Sequence, residues 1–339
     1  MFPRTPLDVF FVAYALAETL STVLSVDPLA SFVYMKRLFL ISFVYLVLFS
    51  MQDRRSVIGV LAILIGVVTV LSAIELFALS SVGGRLHRIS LFQYYMTEGG
   101  IKMIVLLVAL PFIIHPSTPR AWRWMFLAAS AVTFVGLILT QTRSSWLGFI
   151  AGAITIGILK NTKVLAGLLL LIVLFAFFAP SDYRSRAMSI VDPTYASNFV
   201  RVRMLKTGWR MFLDRPIVGT GDIDLRKRYE TYIVPIDPAE GGHLHNNFMQ
   251  LLVTLGIVGF AAAVAMFVKV FLVEYRAVRE SRGDWLLGSV AAGSLASYVG
   301  FHVNGLFEWN FGDHEIAVLM WFTVGLALVA LKQSRGEAG

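Results

Sequence analysis

Long apolar runs separated by short polar breaks make up most of the chain. They lie at about 7–28, 32–51, 56–79, 99–115, 122–140, 144–159, 163–179, 247–272, 285–305 and 314–331. A helix needs about 20 mostly apolar residues to cross a bilayer core. Backbone groups in lipid have no water to bond, so runs of this kind must be helical. The pattern predicts an all-α polytopic membrane protein with about ten transmembrane helices. The first run lacks a basic leader and a small-residue cleavage site, so it is expected to stay as a membrane helix. One long polar segment, 180–246, interrupts the series. The expected organisation is therefore 1–179 as the first helices, 180–246 as a long loop, and 247–339 as the last helices with a short tail. All three form one membrane domain.

Composition agrees. Hydrophobic residues make up 57% of the chain and charged residues 15%, with mean hydropathy +0.74. Soluble domains carry roughly 25% charge. The numbers exclude a soluble enzyme and a disordered chain. There is no cysteine, so disulfides, thiolate metal sites and cysteine nucleophiles are excluded. Net charge is +8. With both termini in the cytoplasm, thirteen Lys and Arg fall in the inner loops, among them Arg54, Arg55, Arg120, Arg123, Lys160 and Lys163. Six fall outside: Lys36, Arg37, Arg85, Arg88, Lys102 and Arg143. The bias sets that orientation and puts 180–246 in the periplasm of a bacterial inner membrane.

That segment is too long for its charge to report topology, yet it carries ten basic residues. Residues 197–213 read as an amphipathic helix within it. Phe199, Val202, Leu205, Trp209 and Phe212 form one apolar stripe, and Arg203, Lys206 and Arg210 fall on another face, with Arg201 beside the stripe. Ser197 or Asn198 is the expected N-cap, and Pro216 the stop. The helix either lies on the membrane bound to anionic lipid or holds a phosphate in its guanidinium forks.

The segment ends in His243-Leu-His245-Asn246-Asn247, and an apolar helix follows at once. His245 therefore sits at a helix mouth. It either bonds backbone or lipid there, or takes a proton from a hydroxyl. The two histidines make only a weak metal signal, and no metal site is expected. A second outer corner, Thr140-Gln-Thr-Arg143-Ser-Ser-Trp146-Leu-Gly148, puts Arg143 at the membrane edge. An arginine there either snorkels or serves a function. Softer outward candidates are Arg85, His87 and Arg88 after the third helix, and His302 with Glu308, Asp313 and His314 after the ninth. Glu75 and Glu98 are possible partners for the arginines, and Glu18 is an intramembrane carboxylate. Asp222-Ile-Asp224 has the letters of a metal motif but reads better as a solvated turn beside Arg226-Lys-Arg228.

Three segments together resemble the superfamily of O-antigen ligases and polymerases, membrane glycosyltransferases of GT-C type. Thr142-Arg143-Ser-Ser-Trp146-Leu-Gly148 resembles the family's SRxxWL helix start. Arg201-Val-Arg-Met-Leu205, then Asp214-Arg-Pro216 and Gly219-Thr-Gly221, is similar to its RxxxL and DxPxxGxG runs. His245-Asn246, followed after nine residues by Gly256-Ile-Val-Gly259, resembles its H[NSQ]-x9-GxxG motif. Typical O-antigen ligases carry about twelve helices, so this chain departs in its helix count.

The resemblance implies transfer of a glycan from undecaprenyl diphosphate to an acceptor hydroxyl, on lipid A–core oligosaccharide or another glycan. It implies no cofactor, no metal and no nucleic-acid partner. Arg143, Arg201, Arg203 and Arg210 would hold the diphosphate. His245 would be the general base, with Arg201 also catalytic. Asn246, Arg85, Arg88 and His302 would support them. Ligation to lipid A–core is the leading expectation, polymerisation the alternative, and a transporter or flippase the alternative of another class.

Overall fold

The structure is a computed structural model that describes residues 4–81, 94–237 and 242–336. It is all-helical, and no strand occurs among those residues. The helices are α1 (Asp8–Val23), α2 (Pro28–Tyr34), α3 (Ser42–Ser50), α4 (Arg54–Ser81), α5 (Tyr95–Ile114), α6 (Arg120–Leu139) and α7 (Arg143–Leu159). They continue with α8 (Lys163–Phe178), α9 (Ser181–Met188), α10 (Ala196–Asp214), α11 (Arg226–Tyr229), α12 (Asn247–Glu280), α13 (Trp285–Asn304) and α14 (His314–Ser334). A 3-10 segment, Met35–Ile41, joins α2 to α3.

Seven helical segments among the described residues are long and apolar enough to cross a bilayer: Pro28–Ser50, Arg54–Ala78, Tyr95–Ile114, Arg120–Leu139, Asn247–Glu280, Trp285–Asn304 and His314–Ser334. Helices α7 and α8 are apolar but shorter. The run expected at 7–28 ends early. A turn at 24–27 closes α1 at 16 residues, and Asp27 caps α2 by accepting the Ala30 N–H at 3.0 Å. On α4, Ile63, Val67, Val70, Ile74 and Phe77 recur at spacings of three and four and are all exposed. On α8 the exposed run is Leu169–Leu174 with Phe177 and Phe178. Water does not tolerate apolar faces of this extent, and lipid does. The chain is a multi-pass membrane protein.

The chain divides into two compact units. The first holds 1–42, 189–271 and 305–314. The second holds 43–188, 272–304 and 315–339. The core of the second is α5, α7 and α13 packed on one another. Helices α7 and α13 meet through glycines. A Cβ on Gly148 would strike the Gly300 carbonyl at 2.6 Å, and one on Gly300 the Gly148 carbonyl at 2.9 Å. Without a hydrophobic drive between helices in lipid, such backbone contact is what holds them. Lys102 of α5 is buried there. It pairs with Glu75 of α4 and lies 3.9 Å from Glu98. These three residues form a cluster linking two helices, and Lys102 is no loop residue. Arg143 is likewise buried in the first turn of α7.

The core of the first unit is Met204, Met211, Leu225, Tyr229, Leu244 and Val253. Helix α10 supplies two of these and buries Met204, Thr207, Gly208 and Met211 on one face. Of the apolar stripe expected from sequence, Phe199, Val202 and Trp209 are exposed, Trp209 at 48%, while Leu205 and Phe212 are half-buried, Phe212 against this core; Leu213 is exposed beside them. An exposed tryptophan beside basic residues is the pattern of an interfacial helix. The expected capping is corrected. Tyr195 holds the N-cap position, and Asn198 turns back, donating to the Ser189 carbonyl at 2.8 Å and the Asp192 carbonyl at 2.7 Å.

Candidate active site

The first unit is organised by a break in α12. Gly256 leaves helical geometry at φ +62°, a value that favours glycine. The freed backbone groups are taken by the turn after α10. Thr220 N donates to the Val253 carbonyl at 3.0 Å, and Gly221 N to the Thr254 carbonyl at 2.9 Å. In return Ile257 N donates to the Pro216 carbonyl at 2.8 Å, and Val258 N to the Ile217 carbonyl at 3.2 Å. Ser21 of α1 adds hydroxyl bonds to Val218 and Thr254 carbonyls. A Cβ on Gly219 or on Gly256 would collide with the other segment's backbone. Glycines at both places are therefore a packing requirement of this junction.

At that beginning, three consecutive residues hold the 305–310 loop. Asn246 is the N-cap: its Oδ1 accepts the Met249 N–H at 2.8 Å, a device that stabilises by roughly 1 kcal/mol. Its Nδ2 donates to the Leu306 carbonyl at 2.8 Å. Asn247 N donates to the Gly305 carbonyl at 2.7 Å, and Asn247 Oδ1 accepts the Asn310 N–H at 2.8 Å. His245 precedes them at φ +45°, an uncommon place for a residue with a side chain. Strain of this kind persists where the surroundings over-determine it, and it concentrates at functional sites.

The loop carries Glu308, whose side chain is only 9% exposed. One oxygen accepts from Arg201 Nη2 on α10. The other lies 2.9 Å from His245 Nδ1. In a neutral ring the nitrogen facing the carboxylate carries the hydrogen, so Nε2 keeps its lone pair. His243 packs against His245 with ring centres 4.3 Å apart. Burial, with the charge of His245 second, pulls the His243 pKa down to about 4, so this ring is neutral near pH 7.

Arg203 and Arg210 are brought to a protein partner, Asp237. Its fully buried carboxylate accepts from Arg203 at 2.6 Å, from Arg210, from Thr207 Oγ1 at 3.0 Å and from Val234 N at 2.9 Å. Burial pushes this carboxyl up, but the Val234 N–H and the arginine and threonine bonds outweigh it and hold the pKa at about 2. Two arginines on one carboxylate leave α10 with one positive charge there.

A further arginine that sequence reasoning left in a loop is internal. Arg37 pairs with Asp222, and its guanidinium lies 4.7 Å from the Tyr34 ring and 5.7 Å from that of Trp309, the neighbour of Glu308. Asp222 is buried, so the solvated-turn reading is corrected for it. Burial raises its pKa, and Arg37 opposes the rise. Asp224 is exposed and caps Arg226 N at 2.9 Å. Glu18 is buried against Tyr14, the polar neighbour one turn away, with Asp222 and Arg37 also near.

The structure thus brings Arg201, His245 and Glu308 together, with Asn246 as support. Arg143 and His302 belong to the second unit, where His302 sets its ring against Tyr298 at 4.5 Å. Arg85, His87 and Arg88 lie outside the described residues. No group of three or more His, Cys, Asp or Glu suited to a metal occurs among the described residues.

No curated protein matches the chain. The family model described as O-antigen ligase matches residues 128–264, a segment that holds Arg143, Arg201, His245 and Gly256. Over that segment the chain is similar to the O-antigen ligase superfamily.

Proposed function

We propose that the protein is a metal-independent inner-membrane glycosyltransferase. It moves a glycan from a lipid diphosphate, undecaprenyl diphosphate in the leading case, to an acceptor hydroxyl on lipid A–core oligosaccharide. The observation that carries this reading is Glu308, which accepts from Arg201 on one oxygen and faces His245 Nδ1 with the other. The site pairs a base with a cation, as acyl- or glycosyl-transfer chemistry requires.

Nε2 of His245 takes the proton of the acceptor hydroxyl as its oxygen attacks the anomeric carbon. The bond from that carbon to the phosphate oxygen breaks, and the diphosphate leaves with the electron pair. Arg201 meets the developing charge. A guanidinium has five N–H donors, so Arg201 serves the diphosphate without releasing Glu308. Arg203 and Arg210, braced by Asp237, keep α10 rigid and add a net positive charge. The exposed stripe of α10 lies in the interface, where a polyprenyl donor is met.

A transporter is less well supported. Broken helices in transporters leave backbone groups for cargo. The break at Gly256 is instead filled by the chain's own turn.

Lipopolysaccharide from a deletion strain is the test of function. Bare core, with polymerised glycan retained on the lipid carrier, is expected. Core carrying a single repeat unit would make the protein a polymerase. Unchanged lipopolysaccharide would dismiss both.

The proposed topology has both termini in the cytoplasm and 180–246 in the periplasm. Three of the six outer charges lie in helical segments rather than loops, Lys102 and Arg143 buried and Arg37 half-buried, which sharpens the bias. Reporter fusions after Lys163 and after Arg226 should report opposite compartments. Periplasmic activity of the Lys163 fusion would overturn this orientation.

A further inference from the structure

The second unit contains a cavity of about 370 Å³ at the end of α7 remote from Arg143. It lies where α5 ends, where α7 meets α8, and where α13 starts. Its chemistry-bearing lining is His115, Lys160, Asn161, Arg282 and Ser289. No carboxylate lines it. Asp284 acts electrostatically on His115 and is already committed. Its oxygens take both Nη atoms of Arg54 and the N–H groups of Leu286 and Leu287.

Two lining groups are buried without a hydrogen-bond partner among the described residues, Lys160 Nζ and Ser289 Oγ. A buried ammonium without a counter-charge is expensive, and an orphaned hydroxyl beside it adds to the cost. Native chains rarely keep such groups without a ligand or water that satisfies them. The ammonium is accommodated because residue 288 is glycine. A Cβ there would lie 3.3 Å from Nζ and 2.6 Å from the Ser281 carbonyl. Burial, reinforced by Arg282, pulls the Lys160 pKa down to about 8, so the amine is still largely charged at pH 7. His115 is held the other way. Burial lowers its pKa, its Nδ1 accepts the Ser117 N–H at 3.3 Å, and its ring bonds the Arg282 carbonyl. It contributes shape and no charge.

We propose that this cavity is a binding site for a phosphate group, held by Lys160 and Ser289 with Arg282 at its rim. A tetrahedral anion offers acceptors in several directions, which suits an ammonium from the α7–α8 connection, a hydroxyl from the start of α13 and a guanidinium from the turn before it. The loops joining membrane helices lie at headgroup level, so the phosphate belongs either to an anionic phospholipid or to a soluble phosphate. The site shares no residue with the transfer site and does not depend on the function proposed above.

The experiment uses the full chain purified in an uncharged detergent. Binding is followed by thermal shift and native mass spectrometry with two probes, dihexanoyl phosphatidylglycerol and inorganic phosphate. The wild type is expected to bind one or both probes saturably. Lys160→Met should weaken that binding about 10- to 100-fold, the usual worth of one charged hydrogen bond. Without ligand the same variant should melt no lower than wild type, because it removes an unpaired charge. That readout separates a lost site from a damaged fold. Ser289→Ala should weaken binding by a smaller factor. Arg279→Gln changes the net charge by the same amount at an exposed position and should bind as wild type does. Saturation by phosphatidylglycerol that millimolar phosphate fails to displace identifies the lipid, and displacement identifies soluble phosphate. Equal binding by wild type and Lys160→Met, or an equal loss in Arg279→Gln, would overturn the site.

Discussion

His245→Ala is expected to lose roughly 10²–10⁴-fold in transfer rate, the usual contribution of a positioned general base. Donor binding should survive, because the diphosphate contacts assigned to the arginines remain. Glu308→Gln should fall in the same range for a different reason. The amide keeps the shape but no longer fixes the imidazole with Nδ1–H toward it, and it leaves Arg201 without its anion. Removing one partner of a buried pair is the costly case. Residues that act as a unit are not additive. The double variant should therefore be little worse than the poorer single variant. Losses that multiplied would mean that Glu308 serves Arg201 alone.

The pH profile of transfer decides between two roles for His245. A base requires the neutral ring, so transfer would fall as pH is lowered. A donor to the diphosphate requires the protonated ring, so transfer would rise. His243 does not confuse the result above pH 5, because its pKa of about 4 keeps it neutral there. Asp237, at about 2, stays ionised throughout and keeps α10 braced. Transfer that rises toward low pH, or a normally active His245→Ala, would remove the base assignment.

Local patterns made part of this site legible. The periodicity over 197–213 locates α10 to within one residue at each end, and Pro216 marks where it stops. His245 was placed at a helix mouth because the apolar run begins at Phe248. What sequence could not show was the partner of each charged group. Glu308 is 63 residues beyond His245, and Asp222 is 185 beyond Arg37. No periodicity connects such pairs; only the fold does. Asp237 carried no pattern at all, yet it takes the two arginines that looked free to hold phosphate. The face of α10 was also hidden. In water the most apolar stripe would be the buried one, but here the interior takes Met204, Thr207, Gly208 and Met211. Lipid leaves the larger apolar side chains outside. Gly256 read as one glycine of a motif, and its role as a helix break appeared only with the turn at 216–221 that fills it.

Arg201→Lys keeps the charge and should still be strongly impaired, by about 10²–10³-fold, the range for losing one fixed donor to a developing oxyanion. The argument is geometric. Arg201 bonds Glu308 through Nη2, and a planar guanidinium keeps further donors fixed relative to that bond. An ammonium paired with Glu308 is a point charge on a flexible stem. It holds either the carboxylate or the diphosphate well, and not both in a set geometry. The loss should appear mainly in the transfer step, with a smaller change in donor affinity, because the electrostatic attraction is kept. The experiment is donor binding and single-turnover transfer on purified membranes for wild type, Arg201→Lys and Arg201→Ala, each with and without excess EDTA. If arginine does the work of a divalent ion, chelation leaves the wild type active. Arg201→Lys at wild-type rate would reduce the residue to the internal ion pair already seen with Glu308. Loss on chelation with rescue by magnesium or manganese would move the diphosphate from the arginines to a metal.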